Sequence, residues 1–506
     1  LRRSSLLAAA ITLVALAIGL GATRWVFEGL PHLEDEFAYL WEAHVMADGQ
    51  IRLPAPEHAE PMLVPFVVQA EGFRFGKYPP GFPAALALGI WANAAGAVNP
   101  ILGALAVWLI YRLGTRIVDE RTGLVAAGLT AISPFFAMQS GSLMSHNLSL
   151  VLGAVFALAW FDRFWVGGGT RGDPRVPDRL LEVLAGLSLG LLVLTRPLTA
   201  VGVVLPFFVH GLIMLRRSPQ AAWRPLAVIG GLAGMLTLVL PLWQAALTGN
   251  PTQNLYALWW PYDKLGFGAG FGNVPGGHNL TLAWLNTRFS LRAGIHDLLG
   301  WPYLSWILLP FGLWALRRNR DGLLLAAIFP SLLVVYSLYW IGSWLLGPRY
   351  YYAALPGLMV LSAAGLLWVG GWFVDGVSRA LRARRLATLG IVCMLVAGNL
   401  IFYWPTRLGN LRGLYGISRA ALAPVEKAQI DRGLIFVHAD RWMPYGNLLT
   451  LEPPFSKSDL RIAWSNGDDA DRSVAASYPG WPTFDYWPGP PPRLTSAEDR
   501  LGSDSP

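Results

Sequence analysis

Three consecutive acids, Glu34-Asp35-Glu36, stand in the stretch Pro31-His32-Leu33-Glu34-Asp35-Glu36-Phe37-Ala38-Tyr39-Leu40-Trp41. Phe37, Leu40 and Trp41 recur at helical spacing, which predicts an amphipathic helix with the acids in its first turn. Carboxylates there complement the positive end of the helix dipole, so one reading makes Asp35 a cap and Glu34 and Glu36 solvated charges. The other reading is chemical. Transfer from a sugar phosphate to a hydroxyl or amine needs a base for the acceptor's proton. It also needs positive charge on the departing phosphate. A phosphate leaves without prior protonation, so one carboxylate suffices, whereas glycoside hydrolysis normally pairs two.

Cations that would complete such a site recur along the chain. Lys77 stands in Phe75-Gly76-Lys77-Tyr78-Pro79-Pro80-Gly81, Arg196 in Leu194-Thr195-Arg196-Pro197, and Arg349 in Leu346-Gly347-Pro348-Arg349-Tyr350-Tyr351-Tyr352. Each also reads as a side chain snorkelling to the headgroups. His146, in Ser145-His146-Asn147, is either a helix-end residue or a substrate contact. The eight His show no His-Glu-x-x-His spacing, and nothing in the sequence supports a divalent ion beside Asp35 and Glu36. No Gly-rich loop follows a predicted strand, which argues against a bound nucleotide sugar. Asn147-Leu148-Ser149 and Asn279-Leu280-Thr281 match a glycosylation pattern short enough to arise by chance.

These residues must be positioned by membrane-spanning helices. Of 506 residues, 54% are hydrophobic and only 14% charged, against about 25% charged in soluble domains. The expected fold is an all-α polytopic membrane protein of about eleven spans, near 6–23, 100–118, 122–141, 144–163, 180–195, 197–215, 224–247, 298–315, 321–345, 350–373 and 386–404. The segment Leu1–Thr23 has the outline of a signal peptide, but its long apolar part and lack of a small-residue cleavage site make it a retained first span. The net charge of +8 comes from short Arg clusters between apolar runs, the positive-inside pattern rather than a nucleic-acid surface. The clusters are Arg2/Arg3, Arg112/Arg116/Arg121, Arg163/Arg171/Arg175/Arg179, Arg216/Arg217/Arg224, Arg317/Arg318/Arg320 and Arg379/Arg382/Arg384/Arg385. All fall on one side only if Pro80–Val98 lies in the interface instead of spanning. The acids, Lys77, Arg196 and Arg349 then share the outer side. That side also carries the loops 24–99 and 248–297 and a small α/β appendage over 405–492, with a disordered tail over 493–506. Tyr256, Trp259, Trp260, Tyr262 and Asp263 of the second loop are either interfacial anchors or sugar contacts. With one cysteine, Cys393, no intrachain disulfide forms.

Asp35-Glu36-x-x-Tyr39, just after the first span, resembles the acidic motif of the membrane glycosyltransferase C superfamily. The closer likeness is to glycosyltransferase family 39, with its dolichyl-phosphate-mannose protein mannosyltransferases, aminoarabinose transferases and lipopolysaccharide-core galacturonosyltransferase-like members. Lys77-Tyr78-Pro79-Pro80-Gly81 is similar to the Pro-Pro motif before that family's interfacial helix, and Gly347-Pro348-Arg349-Tyr350 to its late Arg-Tyr. The resemblance covers about residues 1–404. It implies an inverting transfer from a polyprenyl-phosphate sugar to a lipid or glycan acceptor, on the outer face of a bacterial cytoplasmic membrane. It implies Asp35 as base, Glu36 orienting the acceptor or a metal, and Lys77 and Arg349 on the carrier phosphate. Tyr39, Tyr78, His146, Arg196 and Tyr350 are the further candidate substrate contacts. The tail does not resemble the sugar-binding domains of eukaryotic protein mannosyltransferases, which disfavours protein acceptors. A polymerase or ligase of lipid-linked oligosaccharide needs a similar constellation. A lipid-linked-sugar flippase fits less well, because the ionisable residues gather at one face rather than at mid-membrane. The oligomeric state is not legible.

Overall fold

The computed structural model describes residues 3–164, 176–376 and 378–501. Arg2, Arg171, Arg175 and the tail residues 502–506 lie outside the described residues. Among the described residues, six helical stretches are long and apolar enough to cross a membrane: Arg3–Val26, Ala95–Ile117, Pro197–Arg217, Pro219–Thr248, Arg349–Val369 and Arg379–Gly409. A seventh would be Glu120–Ala131 with Pro134–Gly141, a pair bent by 62°. The bend falls where Ser133 caps the second helix, accepting from the Phe136 N–H, and Pro134 occupies its first turn.

The expected count of eleven is therefore not reached among the described residues. His146–Arg163 and Asp178–Thr195 are each 18 residues long, about 27 Å of helix. The latter carries Asp178, Arg179 and Glu182 in its first turns. Over 298–315 only Leu309–Ala315 is helical, after a series of turns. The run 321–345 divides into Arg320–Ala326 and Ile328–Tyr336 and then loses regular structure. Conversely, the end of the expected loop 248–297 is an 18-residue helix, Leu280–Asp297, capped by Asn279. Asn147 of the other glycosylation-like triplet is fully buried, donating to the Asn99 carbonyl and accepting from Tyr352.

The first loop folds as a unit. The predicted amphipathic helix is Glu34–Ala47, and an unpredicted three-stranded antiparallel sheet follows, with Phe73–Gly76 between Leu53–Pro54 and Val67–Ala70. Gly81–Trp91 is an 11-residue helix, about 16 Å long and too short to cross a hydrocarbon core of about 30 Å. Leu88 and Trp91 on it are exposed, as an interface-lying helix requires.

The C-terminal region is the α/β appendage. Its sheet runs in the order Asp459–Trp464, Arg432–Val437, Thr483–Trp487, Arg493–Ser496, the first three parallel and the last antiparallel. The expected disorder from Arg493 is thus corrected as far as Leu501: Arg493–Ser496 is the edge strand, and Arg500 is held by Asp485 and Asp471. The appendage rests on the acidic helix, where Phe37, Ala38, Trp41 and Val45 share one apolar cluster with Ile435, Tyr445, Leu448 and Leu449. Burial of this cluster fixes the helix between bundle and appendage.

Candidate active site

The helix Glu34–Ala47 begins in an extended Leu33, whose backbone N–H donates to the Glu36 carboxylate in the first turn. Its carboxylate accepts the backbone N–H groups of His32 at 2.6 Å, Leu33 at 3.0 Å and Leu143 at 2.7 Å. Glu36 is 1% exposed, and burial pushes its carboxyl up to about 7 despite those three donors. Where the resemblance implies that Glu36 orients an acceptor or metal, its carboxylate is taken up by three backbone N–H groups that tie the acidic helix to the bundle.

Asp35, one residue earlier and about 100° around the helix, points the other way. Tyr78 donates its hydroxyl to Oδ1 at 2.5 Å, and Arg349 Nη2 lies 3.6 Å from Oδ2. Asp35 opens into a cavity of 430 Å³ whose walls include Tyr39, Tyr78, Arg196, Tyr256, Tyr336, Tyr339 and Tyr350. Arg196, held by the tight turn between Asp178–Thr195 and Pro197–Arg217, donates to Ser145 Oγ at 3.1 Å, Tyr336 Oη at 3.3 Å and Thr199 Oγ1 at 3.2 Å. Tyr39 Oη meets the same Ser145 hydroxyl at 3.0 Å. Tyr350 stacks on Tyr336, ring centres 4.6 Å apart. Gly81 permits this convergence: a Cβ there would lie 2.8 Å from the Leu194 carbonyl oxygen, beside Thr195 and Arg196.

Like Glu36 and Arg349, Lys77 and His146 are not part of the cavity lining. Lys77 does not face it; its ammonium pairs with Asp263 at 3.4 Å, both side chains nearly inaccessible, and sits over the Phe66 ring at 3.5 Å. Tyr256 and Trp260 rings approach within 5.3 and 5.0 Å. Burial lowers its proton affinity, and Asp263 opposes that shift. Asp263 also accepts from Tyr339 at 2.9 Å and Trp340 at 3.0 Å. The ammonium that the resemblance places on a phosphate is here enclosed by an aromatic box and paired with Asp263. His146 is buried with neither ring nitrogen hydrogen-bonded.

Sequence reasoning missed Tyr336, Tyr339, Ser145 and Thr199. The two tyrosines stand in an apolar run that reads as the middle of a span, and only the early end of Ile328–Tyr336 exposes them. Among the described residues, no three His, Cys, Asp or Glu side chains converge as a metal site would need.

The cavity lies at one end of the bundle. His146 begins its helix there and Arg163 ends it at the other pole, where it pairs with Glu182 at 2.7 Å; Arg116 pairs with Asp162 at 2.6 Å at that same far end. Residues 86–244 match the family model of dolichyl-phosphate-mannose-protein mannosyltransferase. The architecture aligns with ArnT from Cupriavidus metallidurans bound to undecaprenyl phosphate, at a TM-score of 0.60 and 14% identity, over 96% of this chain and 92% of that one. The chain has the glycosyltransferase C fold. The same fold relates it to the archaeal oligosaccharyltransferase AglB from Archaeoglobus fulgidus in complex with an inhibitory peptide and a dolichol-phosphate, at a TM-score of 0.54 and 13% identity, over 88% of this chain and 63% of that one. No curated protein matches the chain by sequence. Within the glycosyltransferase C fold of this chain, the charged residues Asp35, Arg196, Asp263 and Lys264 line the 430 Å³ cavity, and Arg349 stands beside it, 3.6 Å from the Asp35 carboxylate.

Proposed function

We propose that the protein transfers a sugar from a polyprenyl-phosphate carrier to a lipid or glycan acceptor, with inversion, on the extracytoplasmic side of the membrane. The observation that carries this reading is Asp35, held between Tyr78 and Arg349 and open to the cavity that Arg196 also lines.

The acceptor hydroxyl or amine gives its proton to an Asp35 oxygen as its lone pair attacks the anomeric carbon. The bond from that carbon to the phosphate oxygen breaks on the opposite face, and its electron pair leaves with the polyprenyl phosphate. The extra negative charge develops beside Arg196 and Arg349, whose guanidinium groups pair with phosphate oxygens in a water-poor pocket. Arg349 exchanges its 3.6 Å approach to Asp35 for the phosphate as the donor enters. The tyrosine-rich wall of Tyr336, Tyr339 and Tyr350 suits a sugar ring, presenting apolar faces and hydroxyl groups together. The apolar rim at Leu198 and Leu265 suits the first isoprene units. The sidedness is supported by the positive-inside pattern of the Arg clusters, of which Arg116 and Arg163 stand at the pole opposite the cavity.

The test measures release of free polyprenyl phosphate from a panel of polyprenyl-phosphate sugars, using purified protein in nanodiscs with a membrane lipid extract as acceptor source. Donor-dependent release by the wild type, abolished in a folded Asp35→Asn, is the expected result. Release that survives Asp35→Asn removes Asp35 as the base, and no release with any donor in the presence of a competent acceptor removes the transferase reading.

A further inference from the structure

A second and larger cleft, of 830 Å³, lies in the C-terminal α/β unit. It opens at the carboxyl ends of Arg432–Val437 and Thr483–Trp487. The chain leaves the central strand for one flank, Asp459–Trp464, and then crosses to the other, Thr483–Trp487. In open sheets of parallel strands, this change of direction leaves a crevice at the strand ends where ligands bind.

Its walls combine two aromatic faces with fixed charge. Trp487 is 41% exposed and lies flat against His438, ring centres 4.0 Å apart at 10°. His438 is locked by a 2.7 Å contact to Asp485, and Asp485 by two hydrogen bonds from Arg500 at 3.0 and 2.6 Å. The indole therefore stands on a rigid base with its outer face presented to the cleft. Tyr415, 42% exposed, faces in from another element with a left-handed backbone, φ 61°. Such a conformation is costly for a tyrosine and is typically retained where a site requires it. Arg441 and Arg493 line the cleft, and neither side chain takes part in an ion pair or hydrogen bond among the described residues; Asp440 stands between the strand end and the helix Trp442–Leu449.

The cleft is tied to the catalytic end of the protein. Leu414, next to Tyr415, packs in one apolar cluster with Leu33 and Leu346, which directly precede the acidic helix and the Gly347-Pro348-Arg349 turn. Tyr415 stands near enough to Glu34 and Arg349 for both charges to act on its phenol. Behind the wall formed by Arg441, Met443 and Pro444, Trp442 packs edge-on against Phe37 of the acidic helix at 5.7 Å.

We propose that this cleft is a binding site for an anionic saccharide, the part of the acceptor beyond the reacting group, and in that role it rests on the transferase reading above. Trp487 and Tyr415 supply platforms for sugar rings, whose axial C–H faces pack on aromatic surfaces. Arg441 and Arg493 form bidentate hydrogen bonds with a phosphate or carboxylate on the glycan. Asp440 accepts hydrogen bonds from sugar hydroxyls. The adjoining Tyr415 and Glu34 then direct the bound chain toward Asp35.

Binding of defined trisaccharides to the full chain in nanodiscs tests this, by isothermal titration of neutral maltotriose, its phosphate monoester and trigalacturonic acid. The expected result is at least tenfold tighter binding of one or both anionic sugars than of maltotriose, falling as salt is raised. Which of the two binds distinguishes phosphate from carboxylate. The pair Arg441→Ala and Arg493→Ala, both surface changes, abolishes that preference, and Trp487→Ala weakens all three sugars. Equal binding of neutral and anionic sugars, no binding of any, or an unchanged preference in the Arg441→Ala/Arg493→Ala protein overturns the proposal. Asp35→Asn binds these sugars as the wild type does. Loss of the cleft's binding thus leaves the carrier-release result standing, and failure of the release assay leaves the titration standing.

Discussion

Tyr78 donates its hydroxyl hydrogen to Asp35 Oδ1 at 2.5 Å, while Arg349 approaches the other oxygen, Oδ2, at 3.6 Å. The two partners approach different oxygens of one carboxylate, so they orient it without enclosing it, and it remains open to the cavity. A hydrogen bond to a charged acceptor is worth about 1.5–3 kcal/mol. Tyr78→Phe is therefore expected to lower kcat for carrier release by about tenfold or more with the donor KM little changed. An unaltered kcat would show that Asp35 is oriented by other means.

Arg196 and Arg349 are assigned to the departing phosphate. Arg196→Lys keeps charge but loses the planar fork that reaches Ser145, Thr199 and Tyr336 together. We expect Arg196→Lys to lower kcat/KM for the donor by about tenfold or more and Arg349→Ala by more. Both should weaken inhibition by added polyprenyl phosphate in the same proportion. Competition assays with the free carrier phosphate check this, and a variant that loses turnover but keeps that inhibition places the arginine elsewhere in the reaction.

Lys77 and Asp263 form a buried pair inside an aromatic box. Removing one partner of such a pair strands the other charge and costs about 3–5 kcal/mol. Lys77→Met and Asp263→Asn are each expected to lower the melting temperature by several degrees, and the double variant by less than the sum. Thermal melts of the four proteins in one detergent read the coupling directly. Strict additivity would show that the pair is not energetically linked.

Stability should also depend on pH through Glu36 and Glu42. Burial raises the Glu36 carboxyl from 4.5 to about 7. Between those values the native protein binds more protons than the unfolded chain, so stability falls as pH rises from 4.5 and levels off above about 7. Glu42 is 1% exposed, neither oxygen has a hydrogen-bond partner, and burial alone holds its carboxyl well above the usual range. Its contribution has the same sign, a cost that grows as pH rises above 4.5. Glu42→Gln should melt close to wild type at pH 5 and higher than wild type at pH 8. Glu36→Gln should melt lower at both, because an amide nitrogen faces one of three N–H donors. Melts of the three proteins at both pH values decide it, and a Glu42→Gln difference that does not widen with pH would mean Glu42 is solvated.

Much of this protein is determined by local sequence. Apolar runs declare spans because transfer to hydrocarbon depends on composition, not on partners. Counting Arg clusters led to the expectation that Pro80–Val98 does not span, and the 11-residue helix Gly81–Trp91 is too short to do so; the acidic helix followed from its spacing and first-turn charges. Lys77, Arg196 and Arg349 were legible as candidates because cations on the expected outer side run against the positive-inside bias, and Asp35 because it stands among three acids in the first turn of a helix. Where helices break was less legible: turns over 298–308 and the division at Ala326 answer to packing that no window of apolarity registers. The roles of neighbours with the same chemistry were decided only by tertiary structure. Asp35 and Glu36 differ by one residue, but the helix rotates them about 100° apart. One meets Tyr78 and Arg349 at a cavity, and the other meets three backbone N–H groups, among them Leu143, 107 residues away. Lys77 was equally plausible as a phosphate ligand until the loop beyond Trp260 brought Asp263 against it from 186 positions along the chain. A side chain's charge is written in its residue type, but its availability depends on which distant group folding places beside it.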